Sequence, residues 1–156
     1  MITKEQCKRI YDYNLERNLT TYNKEKELGF KIEEIDEWFK AETITDKIDA
    51  LADIIVFSIG CQFKKNVAIK EYENKFGYSD IFMIVTNIFD DEKTITNCLT
   101  LIELCGYDST LVMDEVIKHI ESRKGKLNKE TGKFQKFVDE YNKLLWYEPD
   151  YSKCLK

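Results

Sequence analysis

The sequence predicts an all-α fold, a helical bundle in which two acidic helices lie antiparallel at the centre. Three observations support this fold class. The chain has one proline and six glycines in 156 residues, which leaves few tight turns and disfavours a fold of many short strands. Hydrophobic residues make up 43% of the chain and charged residues 34%, as in globular proteins with a sizeable core. Apolar residues also recur at helical spacing, and residues 1–156 are expected to form one domain.

The first three helices are predicted from their apolar stripes and start signals. Residues 3–18 form the first helix and residues 22–41 the second. Four apolar residues of the second helix follow the i, i+4, i+7, i+11 spacing of a packed face. They are Leu28, Ile32, Ile35 and Phe39. The third helix begins with a capping-box-like start at Thr43 and Asp46 and continues along an apolar stripe to Ile59.

Shorter helices follow before the helical pattern breaks. They are predicted over residues 80–90, 94–104 and 109–121. Residues 122–133 are polar, contain two glycines and lack periodicity, so a loop is expected there. A short helix is expected around residues 138–145. The aromatic tail after it contains Pro149, which argues against helix beyond it.

The cysteines and the histidine exclude several kinds of site. The five cysteines are widely spaced without a C-x-x-C pair, which predicts reduced thiols rather than a zinc site or a disulfide framework. They are Cys7, Cys61, Cys98, Cys105 and Cys154. His119 is the only histidine, which disfavours zinc hydrolases, His-dependent triads and Glu-x-x-His di-iron sites. We interpret it as a surface or helix-capping residue.

No stretch of the sequence is predicted to enter or cross a membrane. No apolar run reaches the roughly 18 residues needed to span a bilayer. The N-terminal residues lack the apolar core of a signal peptide. We therefore expect a cytoplasmic protein.

The charges of the chain are separated into an acidic and a basic segment. Residues 33–53 hold eight acids against two lysines, a net charge of −6, in a chain of net charge −5. Residues 118–136 hold seven cations against two acids, a net charge of +5. This separation suits a metal–phosphate ligand better than nucleic acid, because the chain is acidic overall and its basic run is short.

The acids of the second and third helices share helix faces. Glu34 and Glu37 lie at i, i+3 on the second helix, and Asp46, Asp49 and Asp53 follow i, i+3, i+7 on the third. Two helices joined by a few residues should be antiparallel neighbours whose acidic faces can meet. Like charges that meet at a half-buried seam are costly unless a cation neutralises them. Oxygen ligands without His or Cys indicate Mg²⁺, with Mn²⁺ as a substitute. The alternative is that the acids form a solvated helix face.

These acidic motifs resemble those of a known superfamily. Glu33-Glu34-Ile-Asp-Glu37 followed by Asp49-Ala-Leu-Ala-Asp53-Ile-Ile-Val-Phe is similar to the all-α nucleoside triphosphate pyrophosphohydrolases, which include MazG-like proteins, dimeric dUTPases and phosphoribosyl-ATP pyrophosphohydrolases. Their pattern is Glu-x-x-Glu, a spacer, then Glu-x-x-Asp. Glu34 and Glu37 fit the first half. Ala50 stands where the next Glu is expected, and Asp49 supplies a carboxylate one residue earlier.

The resemblance implies a reaction and a site. The reaction is Mg²⁺-dependent hydrolysis of a nucleoside triphosphate to the monophosphate and pyrophosphate, for nucleotide-pool sanitation or modulation, by a homo-oligomer (dimer or tetramer). The metal ligands would be Glu34, Glu37, Asp49 and Asp53. The catalytic carboxylates would be Glu33, Glu34, Glu37 and Asp46, with Glu33 or Asp46 orienting the attacking water or accepting its proton. In a basic loop of residues 122–136, four cations would steady the pyrophosphate leaving group: Arg123, Lys124, Lys126 and Lys133.

Several alternatives stay open. The chain could be a non-catalytic helical interaction module, which predicts no metal-dependent change in thermal stability. It could also be a pyrophosphohydrolase of another phosphorylated metabolite. The basic loop could be a disordered, lysine-rich surface segment. One or two of five aromatic residues could stack on a base, the others belonging to the core or a subunit interface: Tyr11, Tyr13, Phe30, Trp38 and Phe57.

Overall fold

The computed structural model describes residues 1–156 and shows an all-α fold with one small β-hairpin, which confirms the predicted fold class. The seven α-helices are α1 Lys4–Glu16, α2 Lys24–Lys40, α3 Ile44–Lys64, α4 Ile81–Thr86, α5 Asp91–Leu104, α6 Ser109–Ser122 and α7 Glu140–Leu144. The two strands of the hairpin, β1 Gly125–Leu127 and β2 Phe134–Lys136, lie between α6 and α7, and a 3₁₀ helix covers Tyr151–Cys154. None of the helices is both long enough and apolar enough to cross a membrane.

The helix α3 is the centre of the bundle. It packs against α1, α2, α5 and α6, and its Leu51, Ile55 and Ile59 are completely buried. The predicted stripe of α2 enters the core only in part, since Ile32 is 51% exposed and Phe39 is 55% exposed. The reason is that α2 packs mainly against α3, so the side of α2 that faces away from α3 is less covered.

The predicted capping box begins α3. Thr43 Oγ1 accepts a hydrogen bond from the Asp46 N–H at 3.1 Å, and Asp46 Oδ2 accepts one from the Thr43 N–H at 3.3 Å. These bonds satisfy amide groups that a helix leaves free in its first turn. The carboxylate of Asp46 therefore has a structural partner at the start of α3.

The helices α2 and α3 are antiparallel, as predicted. Three contacts between them fix their register: Glu27 with Lys64 at 2.6 Å, the stacked rings of Phe30 and Phe57 with centroids 5.0 Å apart, and Lys47 Nζ with the Trp38 ring at 4.6 Å. The first and the third contact each join the beginning of one helix to the end of the other. The ring pair joins their middle portions.

A β-hairpin occupies residues 125–136, where the sequence predicts a loop. Its turn is closed by Asn128, whose Oδ1 accepts hydrogen bonds from two backbone N–H groups of the turn at 2.9 and 3.0 Å. Gly132 supplies a left-handed backbone with φ of +65°. Sequence patterns miss this hairpin because strands of three residues are too short to show an alternation of apolar and polar residues.

The tail after α7 also differs from the prediction. The 3₁₀ helix Tyr151–Cys154 begins two residues after Pro149, although no helix is predicted beyond this proline. Proline restricts the residue that precedes it, so it leaves the residues two positions later free to turn. The helix α4 ends at Thr86, four residues before the predicted limit.

The five cysteines are free thiols distributed over several elements. Cys105 is half-buried and the other four are buried. Burial raises the pKa of the Cys7 and Cys61 thiols to about 12 and that of Cys154 to about 11. These groups are therefore protonated at neutral pH.

Candidate metal and phosphate site

The register of α2 and α3 places their acidic residues opposite each other. Glu34 and Glu37 of α2 lie across the seam from Asp49 and Asp53 of α3. Glu34 is only 9% exposed, Asp49 and Asp53 are half-buried, and Glu37 is exposed. The structure thus places the four residues that the sequence predicts as metal ligands along one seam between α2 and α3.

The carboxyl groups of this cluster ionise less readily than free ones. Burial raises the pKa of Glu34 to about 8, assisted by the negative charges of its four neighbours Asp53, Glu37, Asp49 and Glu33. Burial and the charge of Asp49 likewise raise the pKa of Asp53 to about 7. Such carboxyl groups gain from a cation placed between them, and their oxygen atoms are the ligands that Mg²⁺ and Mn²⁺ prefer.

The carboxylates do not yet surround a single point. No group of three or more His, Cys, Asp or Glu side chains lies close enough together to hold a metal ion as the side chains stand. Glu37 is exposed, so its side chain has room to move towards a cation.

Asp49 has a partner that the sequence analysis does not identify. The hydroxyl of Tyr151, a residue only 3% exposed, donates a hydrogen bond to Asp49 Oδ1 at 2.5 Å. Burial and the charge of Asp49 raise the pKa of Tyr151 far above its ordinary value, so the hydroxyl keeps its proton. One oxygen of Asp49 is thereby fixed in place, and the other can face a ligand.

The tail ahead of Tyr151 is held by three side chains of α6, which we call the tail clamp: Glu115, His119 and Ser122. They follow i, i+4, i+7 and so share one helix face. All three bind Tyr147. Glu115 accepts a hydrogen bond from its hydroxyl, His119 Nδ1 contacts its carbonyl oxygen at 2.5 Å, and Ser122 Oγ accepts from its N–H at 2.8 Å. His119 is therefore a half-buried residue that binds the tail, rather than a surface or capping residue.

A cavity of about 290 Å³ adjoins Asp53 and is lined by cations and aromatic rings. Its lining includes Arg17, Arg123, Lys136, Tyr13, Phe30 and Phe57. Arg17 is 7% exposed, and its guanidinium carbon lies 3.9 Å from the centre of the Tyr13 ring. The positive charges of Arg123 and Lys136 act on Asp53, where they oppose the rise of its pKa. An acidic end and a basic end of one site therefore meet at Asp53.

Three buried N–H groups at the basic end lack an acceptor. They are Nε of Arg17, Nε of Arg123 and Nε1 of Trp146. Arg123 contacts both other residues, because its carbonyl accepts from Arg17 Nη2 at 3.1 Å and its guanidinium carbon lies 5.5 Å from the Trp146 ring centre. A buried donor left unpaired costs about 1–3 kcal/mol. A ligand with several acceptor oxygens would remove this cost.

The other basic residues predicted from the sequence lie elsewhere. Lys124 lines a separate open cleft with Arg9 and Glu121. Lys126 and Lys133 are exposed on the hairpin and do not line the cavity. Lys136, which the sequence analysis does not select, takes their place. The hairpin explains this exchange, because the pairing of β2 with β1 brings Lys136 opposite Gly125, two residues from Arg123.

Two predicted carboxylates stand apart from the four-residue cluster. Glu33 is exposed next to Glu34, and its charge contributes to the raised pKa of that residue. Asp46 is exposed and is engaged in the capping box of α3. Of the residues that the sequence analysis misses, Tyr151 lies in a tail whose aromatic character it notes, whereas no local motif marks Arg17.

Comparison of this chain with models of protein families, with curated proteins and with solved structures finds no match.

Proposed function

We propose that the protein is a Mg²⁺-dependent nucleoside triphosphate pyrophosphohydrolase that releases the monophosphate and pyrophosphate. The observation that carries this proposal is the meeting of clustered carboxyl groups and clustered cations at Asp53. A divalent cation would neutralise the carboxylates, and phosphate oxygens would pair with Arg123 and Lys136. A magnesium triphosphate supplies both the divalent cation and the phosphate oxygens in one ligand.

The residues of the site divide into a metal end and a phosphate end. Glu34, Glu37, Asp49 and Asp53 would hold the ion. Bound there, Mg²⁺ or Mn²⁺ would neutralise phosphate charge and lower the pKa of a water molecule. Arg123 would donate hydrogen bonds to phosphate oxygens, including one from its unpaired Nε, and stabilise the charge that develops on the leaving group.

Glu33 is the carboxylate left to orient the attacking water. It is exposed beside Glu34 and makes no hydrogen bond or ion pair within the protein. Asp46 has the same charge but is held by Thr43. We therefore favour Glu33 over Asp46 for this role.

The cavity supports a nucleotide rather than inorganic phosphate as the substrate. Its volume of about 290 Å³ lies near the lower end of the range for small-molecule sites. The stacked rings of Phe30 and Phe57 and the ring of Tyr13 give it apolar walls beside the phosphate-binding cations. Aromatic walls next to such cations match a base and sugar attached to phosphates. The resemblance of residues 33–53 to the MazG-like superfamily supports the same substrate class.

We also propose that the chain forms a homo-oligomer, a dimer or tetramer. Large apolar side chains of α2 and α4 are exposed, among them Ile32, Phe39, Phe82 and Val85. The ring centroids of Phe39 and Phe82 lie 6.4 Å apart, so the two helices present one apolar patch. Patches of this kind mark contact surfaces.

Pyrophosphate release tests the proposed reaction. The wild type, Glu37→Gln and the matched control Glu42→Gln would be assayed with Mg²⁺ against common and deaminated NTPs and dNTPs. Glu42 is exposed and lies outside the carboxylate cluster. We expect metal-dependent release that is lost in Glu37→Gln and retained in Glu42→Gln. Absence of release from every nucleotide, with no thermal shift on adding Mg²⁺, would contradict the proposal and favour the interaction module.

A further inference from the structure

We infer that His119 is a positioning residue, which holds the guanidinium of Arg123 at the phosphate end of the site through one neutral tautomer. The inference rests on the proposed function for the identity of the ligand that Arg123 binds. The contact between the two side chains is independent of it.

The partners of the imidazole determine its tautomer. Nδ1 lies 2.5 Å from the carbonyl oxygen of Tyr147, which can only accept a hydrogen bond, so Nδ1 must carry a proton. Nε2 contacts the Nη2 group of Arg123, which can only donate, so Nε2 must present a lone pair. A single state of the imidazole, neutral with its proton on Nδ1, satisfies both contacts.

The orientation of the Arg123 guanidinium depends on this contact. No carboxylate lies within ion-pair distance of it, and its Nε is unpaired. Trp146 covers it at 5.5 Å, and Arg17 binds its backbone carbonyl rather than its side chain. His119 Nε2 is the only acceptor in the protein that fixes the side chain by a hydrogen bond.

Like charges nearby would move Arg123 if this acceptor were lost. Burial and then the positive charges of Arg123 and Arg17 lower the pKa of Lys136. Three cations are therefore crowded around one cavity. Without His119 Nε2, we expect Arg123 to turn away from the other two and from the phosphate end.

Two amide substitutions separate the roles of the imidazole. In His119→Asn the amide nitrogen takes the place of Nδ1, so the bond to Tyr147 can persist while the acceptor for Arg123 is lost. In His119→Gln the amide oxygen takes the place of Nε2, so the acceptor persists while the donor to the tail is lost. Each variant keeps one of the two bonds, which makes the pair a matched comparison.

The test measures binding of magnesium pyrophosphate by calorimetry to the wild type, both His119 variants, Arg123→Ala and the double variant His119→Asn/Arg123→Ala. A charge-assisted bond to phosphate is strong, so we expect His119→Asn to weaken binding about tenfold. His119→Gln should stay close to the wild-type affinity, and the double variant should bind no more weakly than Arg123→Ala. Equal affinities of His119→Asn and the wild type, or weaker binding by His119→Gln than by His119→Asn, would overturn the inference.

The tautomer can be measured without any ligand or activity. His119 is the only histidine, so ¹⁵N labelling of histidine gives one pair of imidazole signals. At mildly alkaline pH we expect a protonated Nδ1 and an unprotonated Nε2, and the opposite tautomer would overturn the inference. The expected tautomer in a protein that binds neither pyrophosphate nor a triphosphate would contradict the proposed function while the contact between His119 and Arg123 stands.

Discussion

The hydrogen bond from Tyr151 fixes Asp49, one of the proposed metal ligands, from a distance of 102 positions along the chain. Outer partners of this kind orient metal ligands and set their affinity. The hydroxyl is buried and protonated, and Asp49 is its only hydrogen-bond partner. At the proposed site, this contact would make the affinity for metal depend on a residue that does not bind it.

Tyr151→Phe is expected to lower the affinity for Mg²⁺ by about 10–100-fold, because loss of an outer partner frees the ligand oxygen. The affinity can be measured by titrating Mg²⁺ against thermal stability. Tyr107→Phe is a matched control, since Tyr107 is also buried and its hydroxyl has no hydrogen-bond partner in the protein. Unchanged Mg²⁺ affinity in Tyr151→Phe would show that Asp49 does not need this bond.

Gly125→Ala is expected to open the hairpin. An added Cβ would lie 2.3 Å from the Gln135 carbonyl oxygen, a backbone atom of the paired strand, and 2.5 Å from the Phe134 ring. Hydrogen exchange of the hairpin amides should accelerate, while the amides of α3 stay protected. Gly77→Ala is the control, because nothing lies within 4 Å of its added Cβ. Equal protection of the hairpin in both variants would contradict this expectation.

Single residues could be predicted where the signal is local. Glu34, Glu37, Asp49 and Asp53 stand at helical spacings within two adjacent helices, and the structure places them along the seam between those helices, as predicted. Tyr151, Arg17 and Lys136 reach the site from the tail, α1 and the hairpin. These three residues reach the site only in the tertiary fold, and no spacing in the sequence predicts their place there.

At the scale of elements, the turn between α2 and α3 decides which acids can meet. The helices are joined by three residues, Ala41 to Thr43, and the capping box starts α3 at once. The short connection holds the helices antiparallel and sets the register that places Glu34 across from Asp53. Asp46 contributes to the site by starting the helix.

Asp46→Ala is expected to lower the free energy of unfolding by about 0.3–1.5 kcal/mol, because half of the capping box is lost. Pyrophosphate release should remain close to the wild-type rate, in contrast to Glu37→Gln. Chemical denaturation and the release assay measure the two effects, with Glu42→Ala as an exposed neighbour for control. Loss of activity at unchanged stability would instead assign Asp46 to the catalytic water.

Long helices with an apolar stripe or a capped start could be predicted from the sequence. Elements of only three or four residues could not. The helices α1, α2, α3, α5 and α6 were located from apolar spacing and start signals. The hairpin and the 3₁₀ helix have three and four residues, so their structure depends on turn bonds and on packing against other parts of the chain. The exposed part of the α2 stripe shows a further limit of sequence-based prediction. Apolar residues at helical spacing can face either the core or an exposed surface, and the spacing alone does not distinguish the two.

For the whole molecule, the carboxylate cluster makes stability depend on pH. The pKa of Glu34 rises from 4.5 to about 8 on folding, and that of Asp53 from 3.8 to about 7. Between these values the folded state binds more protons than the unfolded state. The contribution of these two groups to stability is therefore greatest below about pH 4 and falls as pH rises from there to about 8. At high pH both carboxyl groups are ionised, and a metal ion would neutralise their charge.

Without metal, the melting temperature is expected to fall as pH rises from about 5 to about 8, since the two carboxyl groups must give up protons in the folded state. Mg²⁺ competes with those protons, so it should raise the melting temperature more at the upper end of this range than at the lower end. Glu34→Gln should flatten the pH dependence. Thermal melts with and without Mg²⁺ measure both effects. A melting temperature that rises with pH in metal-free protein would contradict the raised pKa values.

The fold class and the antiparallel seam could be predicted from sequence because both depend on neighbouring segments. The cavity could not, since α1, α2, α3, α6 and the hairpin form it together. The tail clamp has a recognisable i, i+4, i+7 spacing, but its meaning depends on Tyr147, which only packing brings to that face.

The burial of the cysteines provides natural reporters of how the molecule opens. Alkylating reagents react with the thiolate, so a buried thiol with a raised pKa is labelled only when its element moves into solvent. Cys7 reports on α1, Cys61 on α3, Cys98 on α5 and Cys154 on the 3₁₀ helix beside Tyr151. Half-buried Cys105 should be labelled first. The order of the other four, followed by mass spectrometry, would show whether the tail detaches while the bundle stays closed, and so whether the metal end can lose Tyr151 without unfolding.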